Sequence, residues 1–195
     1  MQGRILVAYA SNAGSTADVA RVVAEELTAG GAQVDTRPIR ELKAADLNEY
    51  SAVIVGAPMI LGWHRDASRF LSANRASLAQ KPVALFATAM TMTQTGEALS
   101  SAVPIFLDPR LPKPSQKPGK LGFKERFTTL PHYLAPILKS AGDIRPVSIA
   151  FFRGKLDFGR LKFLQMLFVM LLVAAQPGDY RNWDAIRAWA RELVA

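Results

Sequence analysis

The chain has 195 residues, of which 50% are hydrophobic and 21% are charged, a composition typical of a globular domain and not of a disordered chain. It contains no cysteine and two histidines, so we exclude disulfides, thiolate metal sites and a cysteine nucleophile, and we expect no bound metal. The 24 Lys and Arg residues outnumber the 16 Asp and Glu residues, and the formal net charge of +8 favours anionic partners.

Five short segments predict strands, and most of them are continuous apolar runs, as expected where both faces of a parallel sheet are covered. They are residues 5–9, 34–39, 52–57, 83–88 and 147–152. Apolar side chains at helical spacing predict helices after the first strand, after the third strand and, with Asn182 as its cap, from about residue 183 to residue 193. This alternation indicates one α/β domain over residues 1–195, with a doubly wound parallel sheet.

Two segments interrupt the alternation, and we interpret both as insertions into the domain. Residues 104–130 are rich in proline and carry more basic than acidic residues, so we expect a long basic surface loop without regular structure. Within residues 159–177, apolar side chains surround a predicted helix at 161–175 instead of forming one stripe.

The turn between the first strand and the first helix has the composition of a phosphate site. Backbone N–H groups and the positive end of the helix dipole point into such a turn. The P-loop and dinucleotide motifs are both absent, so hydroxyl groups here suit a terminal monophosphate such as that of FMN. An ordinary helix start is the alternative. The residues are Ser11, Asn12, Ala13, Gly14, Ser15 and Thr16.

Two more loops are expected at the same edge of the sheet, because ligands of doubly wound sheets lie outside the carboxyl ends of the strands. Their flat or soft side chains can cover a flavin ring, and Gly62 allows the backbone to approach it. The Met and Trp side chains are equally typical of residues that fill gaps in a core. The loops comprise Pro58, Met59, Ile60, Leu61, Gly62 and Trp63 after the third strand, and Thr88, Ala89, Met90, Thr91 and Met92 after the fourth.

These loops resemble the flavodoxin-like superfamily. Its T-x-T-G-x-T phosphate loop is matched at residues 11–16, with Ser11 and Ala13 in place of two threonines and with Gly14 and Thr16 retained. More closely, the chain resembles the menaquinone-dependent protoporphyrinogen oxidase family, a long-chain flavodoxin-type group. That resemblance lies in residues 55–62, 152–158, 161–175 and 179–184, and it covers nearly the whole chain except the proline-rich loop.

The resemblance implies a five-stranded sheet of order 2-1-3-4-5 and a bound FMN that cycles between oxidised and reduced forms, with Gly154 also at the cofactor. It further implies a porphyrinogen-like donor and a quinone acceptor. The chain departs from the family pattern at Ile60 and Leu61, where polar and aromatic residues are expected. His64 is displaced from the position of the family's histidine, but it is our candidate catalytic residue, because an imidazole beside the flavin can move a proton.

The predicted helix at 161–175 has three interpretations: a core helix, a helix that docks on a membrane surface, or a contact in a homodimer. Its length of about 22 Å is too short to cross the ~30 Å apolar core of a bilayer. The apolar run near the N-terminus is too short for a secretory signal, so we expect a cytoplasmic protein. Basic flanking residues favour a peripheral position on an anionic membrane, where a lipid-soluble quinone is met; they are Arg153, Lys155, Arg160 and Lys162.

Three functions remain open at this stage. The first is an FMN-dependent oxidoreductase that passes reducing equivalents from a porphyrinogen-like or other reduced organic donor to a quinone. The second is a flavodoxin-type electron carrier, although such carriers usually present an acidic face. The third is a flavin-free adaptor, because Ala13 replaces a phosphate-binding hydroxyl. No nucleic-acid-binding motif accompanies the basic residues, so we expect no nucleic acid partner.

Overall fold

The computed structural model describes residues 3–60, 62–95, 103–117, 120–156 and 177–194. Within them the strands are β1 (Arg4–Tyr9), β2 (Gln33–Pro38), β3 (Ala52–Pro58), β4 (Val83–Ala89), β5 (Met92–Gln94), β6 (Ile105–Leu107), β7 (Pro112–Pro114), β8 (Ser148–Arg153), β9 (Lys155–Leu156) and β10 (Gly178–Asp179). The α-helices are α1 (Ser15–Ala29), α2 (Arg65–Ala73), α3 (Arg75–Leu78), α4 (Leu130–Ala141) and α5 (Trp183–Glu192). Single 3-10 turns are formed by Ile39–Glu41, Ala44–Glu49 and Glu125–Thr128.

The central sheet has six strands in the order β2-β1-β3-β4-β8-β6, and every neighbouring pair is parallel. The predicted doubly wound parallel sheet is therefore confirmed, with β8 as the predicted fifth strand. The finding differs from the five-stranded expectation in one respect, because β6 adds a sixth strand beyond β8.

Each face of the sheet is covered by a separate apolar core, as successive side chains of a strand point to opposite faces. In β1, Ile5 and Val7 pack with α1 and α5, whereas Leu6 and Ala8 pack on the side of α2 and α4. This two-sided burial explains why β1, β3 and β4 are almost continuously apolar, whereas β2, at the edge of the sheet, is only partly buried and carries charged residues. It also leaves the carboxyl ends of β1, β3, β4 and β8 at one edge of the sheet.

The basic insertion is more ordered than its composition predicts. Residues 105–107 form β6 on the open edge of β8, and residues 112–114 form β7, which pairs with β5. The expectation of a loop without regular structure was wrong over these stretches. The physical reason is that an edge strand needs a partner on one side only, so the prolines of β7 cost few hydrogen bonds.

The helix ends follow from local sequence signals. Asn182 caps α5 as predicted, with its side-chain oxygen accepting a hydrogen bond from the Ala185 N–H at 3.5 Å. Thr129 caps α4 through the N–H of His132. The predicted apolar helix at 161–175 lies outside the described residues. Among the residues that are described, every helix is too short or too polar to span a bilayer.

Candidate functional site

A cavity of about 980 Å³ opens at the carboxyl edge of the sheet. The turn after β1 forms one end of it, and the loops after β3 and β4 form its floor. The basic insertion and the first turns of α4 form the opposite wall. The three loops after β1, β3 and β4 therefore meet at one edge of the sheet, as predicted. The insertion also lines the cavity, which the sequence did not indicate.

The turn at residues 11–16 is shaped by a glycine in the left-handed region. Gly14 has φ +88° and stands at the N-cap position of α1, where no side chain caps the first N–H groups. Its own N–H donates to Ser11 Oγ at 3.0 Å. Uncapped N–H groups at the positive end of a 15-residue helix form an anion site. The geometry therefore suits a phosphate group.

The hydroxyl groups near this helix end can donate hydrogen bonds to a ligand. Ser11 Oγ accepts from the Gly14 N–H, and Ser15 Oγ accepts from the Lys155 N–H at 2.9 Å. An accepting hydroxyl keeps its own proton, so both side chains can still donate to a phosphate oxygen. The buried Thr16 and Thr88 hydroxyls share a hydrogen bond of 2.9 Å and hold the turn against the end of β4.

The structure also brings the backbone of Lys155 to the turn, a contact that the sequence did not indicate. Lys155 follows β8 and lines the cavity with Gly154. The Gly154 N–H donates to the Ala89 carbonyl at 3.0 Å, which fixes this segment beside the loop after β4. No short sequence motif could have revealed this, because Lys155 and Ser15 are 140 residues apart.

His64 connects the phosphate turn to α2. Its Nε2 lies 3.0 Å from Asn12 Oδ1, and its Nδ1 accepts from the Asp66 N–H at 3.2 Å, where it caps α2. These partners assign the proton to Nε2 in the neutral ring. Because both ring nitrogens are engaged and His64 does not line the cavity, the geometry favours a positioning role over the predicted proton transfer.

The loop after β3 places its residues in two different environments. Gly62 has φ +105° and its carbonyl accepts from the Ile60 N–H at 3.0 Å, so the chain turns sharply beside the cavity. Met59 and Met90 line the cavity, and Met90 can cover a flat ring, whereas Met59 is only 8% exposed and also packs in the core. Trp63 is only 5% exposed and packs in the core, as does Met92. For these two side chains the core interpretation describes the structure.

Most of the predicted cofactor residues line this one cavity. They are Ser11, Asn12, Ala13, Ser15, Thr16, Pro58, Met59, Ile60, Gly62, Thr88, Ala89, Met90, Thr91 and Gly154. Gly14 shapes the turn without lining the cavity, Trp63 lies in the core, and Leu61 is outside the described residues. Their contacts with a cofactor remain predictions.

The insertion supplies a wall that the sequence did not indicate. Lining residues include Lys113, Phe123, Lys124 and Phe127, and α4 contributes Tyr133. Burial raises the pKa of the Tyr133 phenol, so it stays neutral and donates to the Thr91 carbonyl at 2.9 Å. The part of the chain that the structure describes contains no cluster of three or more metal-ligating side chains.

A buried carboxylate attaches the insertion to the site. Asp108, which is 0% exposed, accepts hydrogen bonds from the backbone N–H groups of Arg110 and Arg153 and from Asn182 Nδ2. One side chain thus joins the end of β6, the end of β8 and the cap of α5. Because Gly154 follows Arg153 directly, this junction also sets the position of a cavity-lining segment.

These features fit FMN. The uncapped end of α1 and its hydroxyls suit the terminal phosphate, and the methionine-lined cavity beyond it suits a flat ring. The protein side of the site offers binding and orientation of the cofactor and exclusion of water from it.

Comparisons with known proteins agree with this arrangement. The family model described as a flavodoxin domain matches residues 6–181. No curated protein matched the sequence. Among solved structures, a flavodoxin from the domain Archaea is 22% identical (45% of this chain and 63% of that chain covered, TM-score 0.42). Flavodoxin 2 from Bacillus cereus is 27% identical (45% and 62%, TM-score 0.40). Megasphaera elsdenii flavodoxin is 14% identical (75% and 84%, TM-score 0.49). The matched parts of the first two therefore span less than two thirds of those chains.

Proposed function

This chain belongs to the flavodoxin domain family, and from that premise we propose that it is an oxidoreductase that passes reducing equivalents from a reduced organic donor to a quinone. Its cofactor is FMN, and flavin-dependent electron transfer is the activity that the family indicates. The donor in this proposal is porphyrinogen-like or another reduced organic molecule.

The observation that carries the proposal is the size and extent of the cavity. Pockets for small molecules measure about 300–1,000 Å³, and this one, at about 980 Å³, lies at the upper end of that range. The cavity extends from the turn at residues 11–16, past the loops that follow β3 and β4, to the aromatic and basic side chains of the insertion. The exposed aromatic rings of this wall offer contacts to a small organic molecule, which a carrier that exchanges electrons only with proteins does not need.

The chain's own residues bind and orient, while the electron chemistry belongs to the cofactor. Bound FMN supplies reversible two-electron redox chemistry at its ring system. The uncapped N–H groups of α1 hold the phosphate, and the His64–Asn12 hydrogen bond keeps the turn in place. Met90, which lines the cavity, would cover the ring and exclude water from it. Overall the donor loses two electrons and two protons, and the quinone gains the same number as it becomes a quinol.

The net charge of +8 supports a peripheral position on an anionic membrane, where a lipid-soluble quinone is available. In this proposal the basic residues attract the protein to the cytoplasmic face. Purified protein should sediment with phosphatidylglycerol vesicles at low salt and remain in solution with phosphatidylcholine vesicles. If the protein sedimented equally with both kinds of vesicle, the proposed position on an anionic membrane would be wrong.

The decisive experiment has two steps. First, FMN is added to purified protein and the visible spectrum is recorded. Thr16→Glu should abolish binding, because a carboxylate would occupy the phosphate site, whereas Thr28→Glu at the exposed far end of α1 should retain it. Second, the reduced holoprotein is mixed anaerobically with menadione. Rapid reoxidation is expected.

Two outcomes would overturn the proposal in different ways. Protein that binds FMN but is not reoxidised by menadione would be an electron carrier that serves protein partners. Protein that remains colourless with FMN would be a flavin-free adaptor. Neither outcome is compatible with quinone reduction.

A further inference from the structure

The insertion presents a pair of exposed aromatic rings. Phe123 is 75% exposed and Phe127 is 50% exposed, which makes them the two most exposed large apolar side chains among the described residues. Their ring centroids are 5.2 Å apart at an interplanar angle of 70°, and Phe127 meets the His132 ring at 5.4 Å and 90°. A group of exposed rings, unlike a single exposed side chain, marks a binding surface.

These rings line the same cavity as the phosphate turn. Lys113 and Lys124 also line the cavity, so aromatic faces and positive charges from the insertion are both available to a molecule bound there. A flat conjugated molecule gains stacking contact from the rings. A carboxylate on that molecule gains attraction from the lysines.

The wall is attached to the sheet edge at several points. β7 pairs with β5, directly after the loop that follows β4. Thr93 and Thr128 share a hydroxyl hydrogen bond of 2.8 Å, and Tyr133 donates to the Thr91 carbonyl. A surface that is already ordered loses little conformational entropy when a ligand binds.

A carboxylate also fixes the wall from within. Glu125 accepts hydrogen bonds from the N–H groups of Gln116 at 2.7 Å and Gly122 at 2.6 Å. These bonds favour the ionised form and lower the pKa of Glu125. Glu125 is therefore occupied in holding the wall, and because Glu125 also lines the cavity, its negative charge offsets part of the positive charge of Lys113 and Lys124.

We propose that the Phe123–Phe127 pair and the lysines beside it form a subsite for a planar organic acid. The inference rests on the proposed function, in which this acid is the reduced donor that lies next to the flavin. A neutral quinone gains nothing from the lysines, so the subsite distinguishes donor from acceptor. Phe127 and Lys113 determine specificity here, while the phosphate turn holds the cofactor.

The test uses two fluorescent probes with the same ring. Pyrenebutyrate carries a carboxylate, and 1-pyrenebutanol is its neutral counterpart. Each is titrated into the FMN-loaded full chain, and the dissociation constant is obtained from pyrene fluorescence. Pyrenebutyrate should bind more tightly than pyrenebutanol at low salt, and added salt should reduce the difference.

Variants separate the contributions of ring and charge. Phe127→Ala should weaken both probes by about three- to tenfold, through loss of stacking. Lys113→Gln combined with Lys124→Gln should weaken pyrenebutyrate by about two- to fivefold and leave pyrenebutanol unchanged. The matched controls are Leu138→Ala and Lys139→Gln, which are exposed on α4 and do not line the cavity. FMN affinity should be the same in all these variants.

Probe binding needs no turnover, so its failure is distinguishable from failure of quinone reduction. Equal binding of the two probes, with no effect of Phe127→Ala, would overturn the subsite even if menadione reoxidises the flavin. Loss of sedimentation with phosphatidylglycerol vesicles in Phe127→Ala, without any change in probe binding, would make the ring pair a membrane contact and would also refute the proposal.

Discussion

Replacement of Asp108 by Asn removes one negative charge and one acceptor from the junction between the insertion and the sheet. Asp108 Oδ1 accepts from the Arg110 N–H and from Asn182 Nδ2, both at 2.9 Å, and Oδ2 accepts from the Arg153 N–H at 3.2 Å. Asparagine retains one carbonyl oxygen for the first two bonds. Its NH₂ group then faces a third donor, the N–H of Arg153.

The expected cost follows from these contacts. A hydrogen bond to a charged group contributes about 1.5–3 kcal/mol, so Asp108→Asn should lower the free energy of unfolding by about that amount. For a chain of this size the melting temperature should fall by about 3–12 °C. Asp108→Ala leaves all three donors without an acceptor and should cost at least about 3 kcal/mol.

Urea unfolding followed by circular dichroism measures these differences. The matched control is Asp143→Asn, which makes the same charge change at an exposed position and should alter stability by less than about 0.5 kcal/mol. If Asp108→Asn were as stable as the control, Asp108 would not act as an ionised acceptor, and the account of how the insertion is attached would be wrong.

Three further perturbations test other parts of the structure. Thr16→Val keeps the buried shape of the side chain but removes the hydroxyl that contacts Thr88. The affinity for FMN, measured by flavin fluorescence, should therefore fall about tenfold. An unchanged affinity would show that the Thr16 hydroxyl does not contribute to FMN binding. The pKa of Glu125 is lowered in the folded state by its backbone hydrogen bonds, so the stability that it contributes is present above the unfolded pKa of about 4.3 and is lost as the pH falls through the lowered value. Wild type should therefore lose stability in acid more steeply than Glu125→Gln, and parallel pH profiles would contradict this. Trp189→Ala removes a fully buried ring that packs on Phe86 and should cost about 3–5 kcal/mol in urea unfolding, so a loss below about 1 kcal/mol would refute its place in the core.

The strands of the sheet could be predicted closely because their signal is local. The five predicted segments coincide with β1, β2, β3, β4 and β8, to within one residue at each end. Burial on both faces requires a continuous apolar run, and such a run is visible without knowledge of its neighbours. The N-terminal cap of α5 at Asn182 was predictable for the same reason.

β6 and β7 were missed because their formation depends on partners that lie far away in the chain. Residues 105–107 become a strand only because β8 leaves an open edge beside them. Proline-rich composition pointed to a loop, and the available edge outweighed that local tendency. For Trp63 the sequence left both a ligand contact and a place in the core open, and the structure places its side chain in the core.

The sequence by itself determined the phosphate turn, because residues 11–16 are contiguous and the helix that follows orients their N–H groups. Only the tertiary structure decided what surrounds that turn. Lys155 reaches Ser15 across 140 positions, and the aromatic wall reaches the cavity through contacts of β5 with β7. The physical reason is that a hydrogen-bonded turn is set by neighbouring residues, whereas the sides of a cavity are set by which distant elements the packed sheet edge brings together.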